Sequence, residues 1–146
     1  MNSYDVVVIG SGPGGYVAAI RCAQLGKKTA IIEKYKALGG TCLNVGCIPS
    51  KALLDSSEHY YQAAHQFKTH GIQLTDLKVD FEQMIARKDK VVKENVDGIN
   101  FLMKKNKIDI YNGHGAFTDA STIQVTAEDG SKQELKAANT IIATGS

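Results

Sequence analysis

Cys42 and Cys47 lie five positions apart in a stretch, residues 39–51, that also holds glycines, a proline and a lysine. On a regular helix, two residues at this spacing have Cα atoms about 8.5 Å apart. That separation exceeds the limit of roughly 7 Å for a disulfide. A Cys42–Cys47 bond would therefore need an irregular turn, which Gly46 permits because it lacks a Cβ atom. Spacing alone leaves two readings open: a redox-active dithiol, or two unconnected structural cysteines.

The residues that follow favour a helix over about residues 48–67. Pro49 suits the first turn of that helix, where its missing N–H costs nothing. The partial positive charge at a helix N-terminus favours a thiolate, so a dithiol placed there would be reactive. A zinc site is the least favoured alternative. It would need further Cys or His ligands at compact spacing, and the nearest histidine, His59, lies down the next helix.

A second group of candidate functional residues, the second constellation, lies near the N-terminus. There a strand pattern over residues 4–9 leads into a glycine-rich turn. A helix pattern (15–25) and a second buried strand (29–33) follow, so the sequence predicts a right-handed βαβ unit with a parallel sheet. Gly10 suits the tight turn, Gly12 the close approach of a pyrophosphate, and Gly15 close helix–strand packing. Glu33 follows at the end of the second strand, where the motif needs an acid for a ribose hydroxyl. A glycine turn without a ligand is the alternative, but strand, helix and acid together favour dinucleotide binding.

The remaining elements must support these two constellations. Asp80 with Gln83 predicts a capping box that opens the longest helix. Its apolar side chains recur on one face and are expected in the core, with lysines on the solvated face: Phe81, Met84, Ile85, Val91, Val92, Val96, Ile99, Leu102 and Met103. Strands are predicted over residues 108–111 and 140–143, and a hairpin over 122–126 and 133–136.

Composition restricts the class of protein. The chain has 146 residues, 43% of them hydrophobic and 22% charged, as in an ordinary globular domain with a core. A net charge of +2 gives no electrostatic reason to bind nucleic acid or an anionic membrane. Three cysteines, with a strand pattern where a signal peptide would stand, argue against a disulfide scaffold. We therefore expect a cytoplasmic protein.

Residues 39–51, together with the turn at 10–15, Glu33 and the ending Ala143-Thr144-Gly145, resemble the pyridine nucleotide–disulfide oxidoreductase family. Within that family, residues 42–51 are most similar to the members that oxidise dihydrolipoamide. The resemblance covers the whole chain but only the N-terminal FAD-binding region of such an enzyme. It implies that residues 1–146 are a Rossmann-like α/β FAD-binding domain, with a parallel sheet, flanking helices and a small β-hairpin or meander. On this reading the chain is a fragment that lacks the NAD-binding and interface domains.

The resemblance also implies roles for individual residues. Cys47 is the thiol beside the flavin ring, Cys42 is the exchange thiol that attacks the substrate disulfide, and Lys51 lies near the reactive flavin nitrogen. The residues expected to bind FAD are Gly10, Gly12, Gly14, Gly15, Glu33, Lys34, Gly40, Thr41, Cys42, Lys51, Gly115, Thr144, Gly145 and Ser146.

The reaction implied by the resemblance is oxidation of a dihydrolipoyl group on the acyltransferase subunit of a 2-oxoacid dehydrogenase complex. Electrons would pass to Cys42–Cys47, then to FAD and finally to NAD⁺, in an enzyme that is a homodimer at full length. Two alternatives remain. The chain could be a non-catalytic FAD-binding fragment, since much of the family's machinery lies outside it. It could also belong to a related disulfide reductase acting on glutathione or mercuric ion.

Overall fold

The computed structural model describes residues 2–145, which form six strands and four α-helices. The strands are β1 (Asn2–Ile9), β2 (Thr29–Glu33), β3 (Asp109–Asn112), β4 (His114–Asp119), β5 (Thr122–Thr126) and β6 (Lys132–Ile142). The helices are α1 (Pro13–Gln24), α2 (Gly40–Asn44), α3 (Cys47–His65) and α4 (Phe81–Lys105), with a 3-10 turn at Phe67–His70. In the described part of the chain, no helix has both the length and the apolar content needed to cross a bilayer.

The centre of the sheet is parallel, as the βαβ pattern predicts. β1 lies between β2 and β6 and pairs in parallel with both, so that Val8 stands opposite Ile31 on one side and Ile141 on the other. β3 extends the sheet beyond β2, also in parallel. Val7 and Val8 are completely buried because each faces a different side of a sheet covered on both faces. The predicted fold class is confirmed.

The other half of the sheet is an antiparallel meander that rolls back over the parallel half. The strand order is β3-β2-β1-β6-β5-β4, yet β3 and β4, at opposite ends of that order, are joined through the single residue Gly113. β6 serves both halves, since Leu135 stands opposite Asn2 of β1 and opposite Ile123 of β5. A Cβ atom on Gly115 of β4 would lie 3.2 Å from Ile32 Cδ1 on β2, which shows how closely the meander covers the parallel strands.

Two apolar clusters fill the molecule, one on each face of the parallel strands. The cluster under the meander consists of Tyr4, Val7, Ile9, Ala30, Ile32, Ile123, Val125, Leu135 and Ala137. The cluster under the helices consists of Val6, Val8, Ala19, Ile31, Leu38, Leu43, Ile99, Met103 and Ile108. The glycine turn and the cysteine stretch therefore rest on the helical side of the sheet.

Helix α4 differs from its predicted burial. Its start is as predicted, because the Asp80 carboxylate accepts a hydrogen bond of 3.0 Å from the Gln83 N–H. Its buried residues are Ile99 and Met103, near the C-terminal end. Phe81 is 72% exposed and Ile85 44%, so the prediction of a continuous core face is wrong for the N-terminal half. Within residues 2–145, α4 packs mainly on α3.

Candidate functional site

The glycine turn after β1 is packed tightly enough to exclude side chains at two positions. Gly10 has a φ of 98°, and a Cβ atom there would lie 2.3 Å from the carbonyl oxygen of Ala143. A Cβ atom on Gly15 would lie 1.9 Å from the carbonyl oxygen of Gly10. The first and third glycines of the motif therefore allow the turn, helix α1 and the end of β6 to meet, as the sequence predicts for tight-turn and packing glycines.

Gly12 and Gly14 are different, because the space around them is open. A Cβ atom built on either residue meets no atom within 4 Å, although both are glycines of the same turn. Gly12 caps α1 and Pro13 occupies its first turn. Pro13 has no N–H, the Gly15 N–H donates to the Gly12 carbonyl oxygen at 2.9 Å, and the helix N-terminus carries a partial positive charge. This opening at a helix N-terminus is the geometry that accepts a phosphate group.

Glu33 ends β2 beside the turn, and its carboxylate is held by three donors. The residue is only 5% exposed. Its Oε2 accepts hydrogen bonds from the Ser11 N–H at 2.9 Å and from the Ser11 hydroxyl at 2.5 Å. Its Oε1 accepts one from the Tyr35 N–H at 3.0 Å. These bonds offset the cost of burying a carboxylate and fix its orientation.

Ser11 also connects the glycine turn to the cysteine stretch. The Gly39 N–H donates to the Ser11 carbonyl oxygen at 3.0 Å and lies 3.2 Å from its hydroxyl oxygen. Gly40 follows with a φ of 60°, and a Cβ atom there would lie 2.7 Å from Gly12 Cα. The sequence gives no signal for Ser11, because its bonds reach residues 22 and 28 positions away. The two constellations predicted separately thus form one site.

The two cysteines flank an interruption between helices. Helix α2 ends at Asn44 and α3 begins at Cys47, and the intervening Gly46 has φ −119° and ψ −104°. A Cβ atom on Gly46 would lie 3.1 Å from the Thr41 carbonyl oxygen. The predicted irregular turn at Gly46 is confirmed. The Asn44 side chain braces α2 by donating to the carbonyl oxygens of Leu38 at 3.1 Å and Gly40 at 2.9 Å.

The two thiols of this turn interact with each other. Cys42 and Cys47 are free thiols, Cys42 half-buried and Cys47 exposed at the start of α3. A side-chain hydrogen bond with Cys47, followed by burial, raises the pKa of Cys42 above its ordinary value. A hydrogen bond to the Cys47 backbone acts in the opposite direction and lowers it. A dithiol–disulfide couple requires two cysteines close enough to bond to each other.

The other predicted site residues lie around this centre. Lys51 is exposed on α3 one turn after Cys47, and spacing of four residues puts both on the same side of the helix. Thr41 is exposed next to Cys42, whereas the third cysteine, Cys22, is half-buried on α1. Among residues 2–145, no three His, Cys, Asp or Glu side chains are grouped to hold a metal ion.

A cavity of about 920 Å³ opens where β2 and β3 end and the meander begins. Its walls include the predicted residue Lys34, with Tyr35, Asn112 and His114. In parallel α/β sheets, ligands bind outside the carboxyl ends of the strands, which is where this cavity lies. The cavity begins at Lys34, the residue that follows Glu33 at the end of β2.

The last predicted residues have mixed outcomes. A Cβ atom on Gly10 would lie 3.0 Å from Thr144 Cα, so the end of the chain borders the glycine turn, and Gly145 follows with a φ of 82°. Gly115 packs over Ile32 and Ile9, so its missing side chain serves the packing of the sheet, and its cofactor contact stays a prediction. Ser146 lies outside the described residues.

Comparison with known proteins identifies relatives across nearly the whole chain. Residues 4–146 match the family described as pyridine nucleotide-disulphide oxidoreductase. A protein named leghemoglobin reductase from Vigna unguiculata is 56% identical over 97% of this chain, and dihydrolipoyl dehydrogenase 2, mitochondrial, from Arabidopsis thaliana is 54% identical over 97%. The mitochondrial dihydrolipoyl dehydrogenase of Schizosaccharomyces pombe is 54% identical over 99%. The chain spans 27%, 28% and 29% of these three relatives' lengths, so it matches less than a third of each.

Proposed function

The chain belongs to the pyridine nucleotide-disulphide oxidoreductase family, and from this premise we propose that it is the FAD-binding, dithiol-bearing part of a dihydrolipoyl dehydrogenase. The proposed reaction is oxidation of protein-bound dihydrolipoamide to lipoamide, with reduction of NAD⁺. The observation that carries the proposal is the contact of the cysteine stretch with the glycine turn, since a Cβ atom on Gly40 would lie 2.7 Å from Gly12 Cα. A dithiol and an opening for a dinucleotide are therefore adjacent.

The residues present fit FAD at the glycine turn. The open space at Gly12 and Gly14 admits a pyrophosphate against the N-terminus of α1. Glu33, held by Ser11 and Tyr35, would accept from the adenosine ribose, and Lys34 would border the adenosine in the cavity beyond. We propose that Gly10, Gly15, Gly40, Thr41, Gly115 and residues 144–146 complete the binding surface.

The chemistry assigned to the cysteines is thiol–disulfide exchange. With Cys42 and Cys47 joined as a disulfide, a dihydrolipoyl thiolate attacks the Cys42 sulfur and displaces the Cys47 thiolate, which forms a mixed disulfide. The second lipoyl thiol then attacks the lipoyl sulfur that is bonded to Cys42 and displaces the Cys42 thiolate. This step leaves lipoamide and a reduced cysteine pair. FAD, when bound, would supply the acceptor for the electron pair that is finally received by NAD⁺. Lys51 lies one turn after Cys47 on α3. We propose that its positive charge lies near the reactive nitrogen of the bound flavin.

The proposal extends to parts of the enzyme that this chain does not contain. Because the chain matches less than a third of each relative's length, we propose that it forms one FAD-binding domain and that turnover needs residues carried elsewhere in a homodimeric enzyme. Its substrate would be the lipoyl group of an acyltransferase in a 2-oxoacid dehydrogenase complex, in the cytoplasm. No nucleic acid or membrane partner is proposed.

The test separates binding from turnover. The chain, incubated with FAD and freed of excess cofactor, is expected to retain FAD, to react with dihydrolipoamide at Cys42–Cys47, and to show no steady-state reduction of NAD⁺. Failure to retain FAD would contradict the proposed domain function, and turnover by the chain alone would contradict the proposed need for other segments. Preference for glutathione over dihydrolipoamide in a longer protein containing this chain would instead favour a related disulfide reductase.

A further inference from the structure

Ser11 lies where the glycine turn, Glu33 and the start of the cysteine stretch meet. The residue is completely buried, although serine is a polar residue of a surface turn. Its N–H and its hydroxyl both donate to Glu33 Oε2, at 2.9 Å and 2.5 Å. Its carbonyl oxygen accepts from the Gly39 N–H at 3.0 Å. One residue thus bonds to the acid at the end of β2 and to the turn that leads to the cysteines.

The hydrogen-bond capacity of Glu33 indicates what Ser11 contributes. An ionised carboxylate has about four acceptor sites, two on each oxygen. Ser11 occupies both sites of Oε2, and the Tyr35 N–H occupies one site of Oε1. One acceptor site therefore remains, on Oε1. Because both donors from Ser11 bind the same oxygen, the carboxylate cannot rotate without breaking a charge-assisted hydrogen bond in a buried place.

We propose that Ser11 is a positioning residue for nucleotide recognition, whose hydroxyl fixes Glu33 so that the free site of Oε1 is presented to a ribose hydroxyl of the nucleotide. This inference rests on the proposed binding of FAD by the chain. It adds that the recognition of the ribose depends on a side chain that does not itself touch the ligand. Without the hydroxyl, the Ser11 N–H on Oε2 and the Tyr35 N–H on Oε1 remain, so the carboxylate keeps two of its three bonds and is held less firmly.

The experiment measures preference for ribose hydroxyls rather than affinity alone. Dissociation constants are determined by flavin fluorescence for FAD and for an FAD analogue whose adenosine ribose lacks both hydroxyls. The unsubstituted chain is expected to prefer FAD by about tenfold, the value of one good hydrogen bond to a charged group. In Ser11→Ala that preference is expected to fall to about threefold or less.

Two further variants distinguish positioning from general stability. Thr29→Val removes another buried hydroxyl from β2, one that donates only to the Lys27 carbonyl oxygen, and should keep the preference. Glu33→Gln should lose the preference, and adding Ser11→Ala to it should cause no further loss, because Ser11 acts through Glu33. Ser11→Gly deletes the same hydroxyl without adding a methyl group and serves where the alanine variant does not fold.

The outcomes separate this inference from the proposed function. If Ser11→Ala weakens FAD and the analogue equally, the hydroxyl has only a structural role and the inference is overturned. The same conclusion follows if the variant keeps the tenfold preference. If the unsubstituted chain binds no FAD, the proposed function fails and the inference fails with it.

Discussion

At the scale of single residues, the glycines of one motif divide into two kinds. Gly10 and Gly15 leave no room for a Cβ atom, whereas Gly12 and Gly14 face open space. The motif therefore contains two glycines that the packing requires and two that it does not. Alanine substitutions can separate the two kinds. An added methyl group should lower stability at Gly10 or Gly15, and it should affect only ligand binding at Gly12 or Gly14.

Gly12→Ala is expected to leave folding almost unchanged and to weaken FAD binding at least about tenfold, because its methyl group would occupy the space proposed for a pyrophosphate. Gly15→Ala is expected to lower the free energy of unfolding by roughly 2–4 kcal/mol, since its Cβ atom must displace the Gly10 carbonyl. Urea unfolding and flavin binding are measured on both, with Gly14→Ala as the control for stability. Equal destabilisation by the Gly12 and Gly15 variants would contradict the division.

The thiol pair gives a second prediction at this scale. In the reduced, FAD-free chain, alkylation of Cys42 is expected to reach half its maximal rate at a higher pH than for an ordinary thiol, because the Cys47 hydrogen bond and burial raise its pKa. Folding should accordingly be favoured below the ordinary thiol pKa and lose that contribution as pH rises through the raised value.

Cys47→Ala removes the main cause and should move the Cys42 alkylation profile to lower pH. Both proteins carry Cys22→Ser, so that mass spectrometry reports on the site alone. Coincident profiles with and without Cys47 would show that the two thiols do not interact in solution.

At the scale of elements, α3 carries Cys47 and Lys51, and the Arg87 side chain of α4 forms hydrogen bonds to it. Arg87 Nη1 donates to the Ala52 carbonyl oxygen at 2.8 Å and to the Ser56 hydroxyl at 3.2 Å. Its Nη2 bonds to Asp55 at 2.5 Å, with both side chains about half exposed. Because solvent screens the ion pair with Asp55, most of the stabilisation comes from the hydrogen bonds to Ala52 and Ser56.

Arg87→Ala is expected to lower the free energy of unfolding by about 1 kcal/mol, since two or three partly exposed hydrogen bonds are lost. Lys93→Ala, which breaks the exposed Lys93–Asp97 pair within α4, is the matched control and should cost less than Arg87→Ala, because solvent screens that pair. Denaturant unfolding of both proteins checks the difference. Similar values for the two variants would indicate that Arg87 does not hold α3 to α4.

Residue patterns predict a helix or strand well where it is stabilised by neighbours in sequence. The apolar run of β1, the glycine turn and the Asp80 cap each act through neighbours in sequence, and each is found where expected. β6 was predicted as two short strands and is one, because Ala137 and Asn139 between them pair with β1, over 130 positions away. Strand β4 is mostly exposed and lacks the alternation that marks a half-buried strand, so no local pattern predicts it.

The candidate site was predicted in its parts but not in its connections. The cysteine pair, the glycine turn and Glu33 follow from residue types and spacing. The contact of Gly40 with Gly12 and the junction at Ser11 depend on how the chain returns to itself, which no local pattern records. The exposed half of α4 has the same origin, since periodicity reports which residues share a face and not whether anything covers it.

At the scale of the molecule, β6 is the strand on which both halves of the sheet depend. Leu135 is 1% exposed and lies between β1 and β5. Leu135→Asp is expected to cost more than about 3 kcal/mol, because it places an unpaired carboxylate in the core under the meander. Circular dichroism should show loss of the fold at moderate temperature. Lys132→Asp, exposed on the same strand, is the control and should behave like the unsubstituted protein. A folded, stable Leu135→Asp protein would contradict the central place of β6.

The pairing of β1 with β6 also determines at what point of synthesis the glycine turn can make its contact with the end of β6. Ala143 contacts Gly10 at the end of that pairing, yet Ala143 is synthesised more than 130 residues after Gly10. A nascent chain on the ribosome can wind α1 and α3 early, because their contacts are local. That contact between the turn and β6 cannot form until β6 has emerged. We therefore expect the proposed FAD site to stay incomplete until residue 143 has been synthesised.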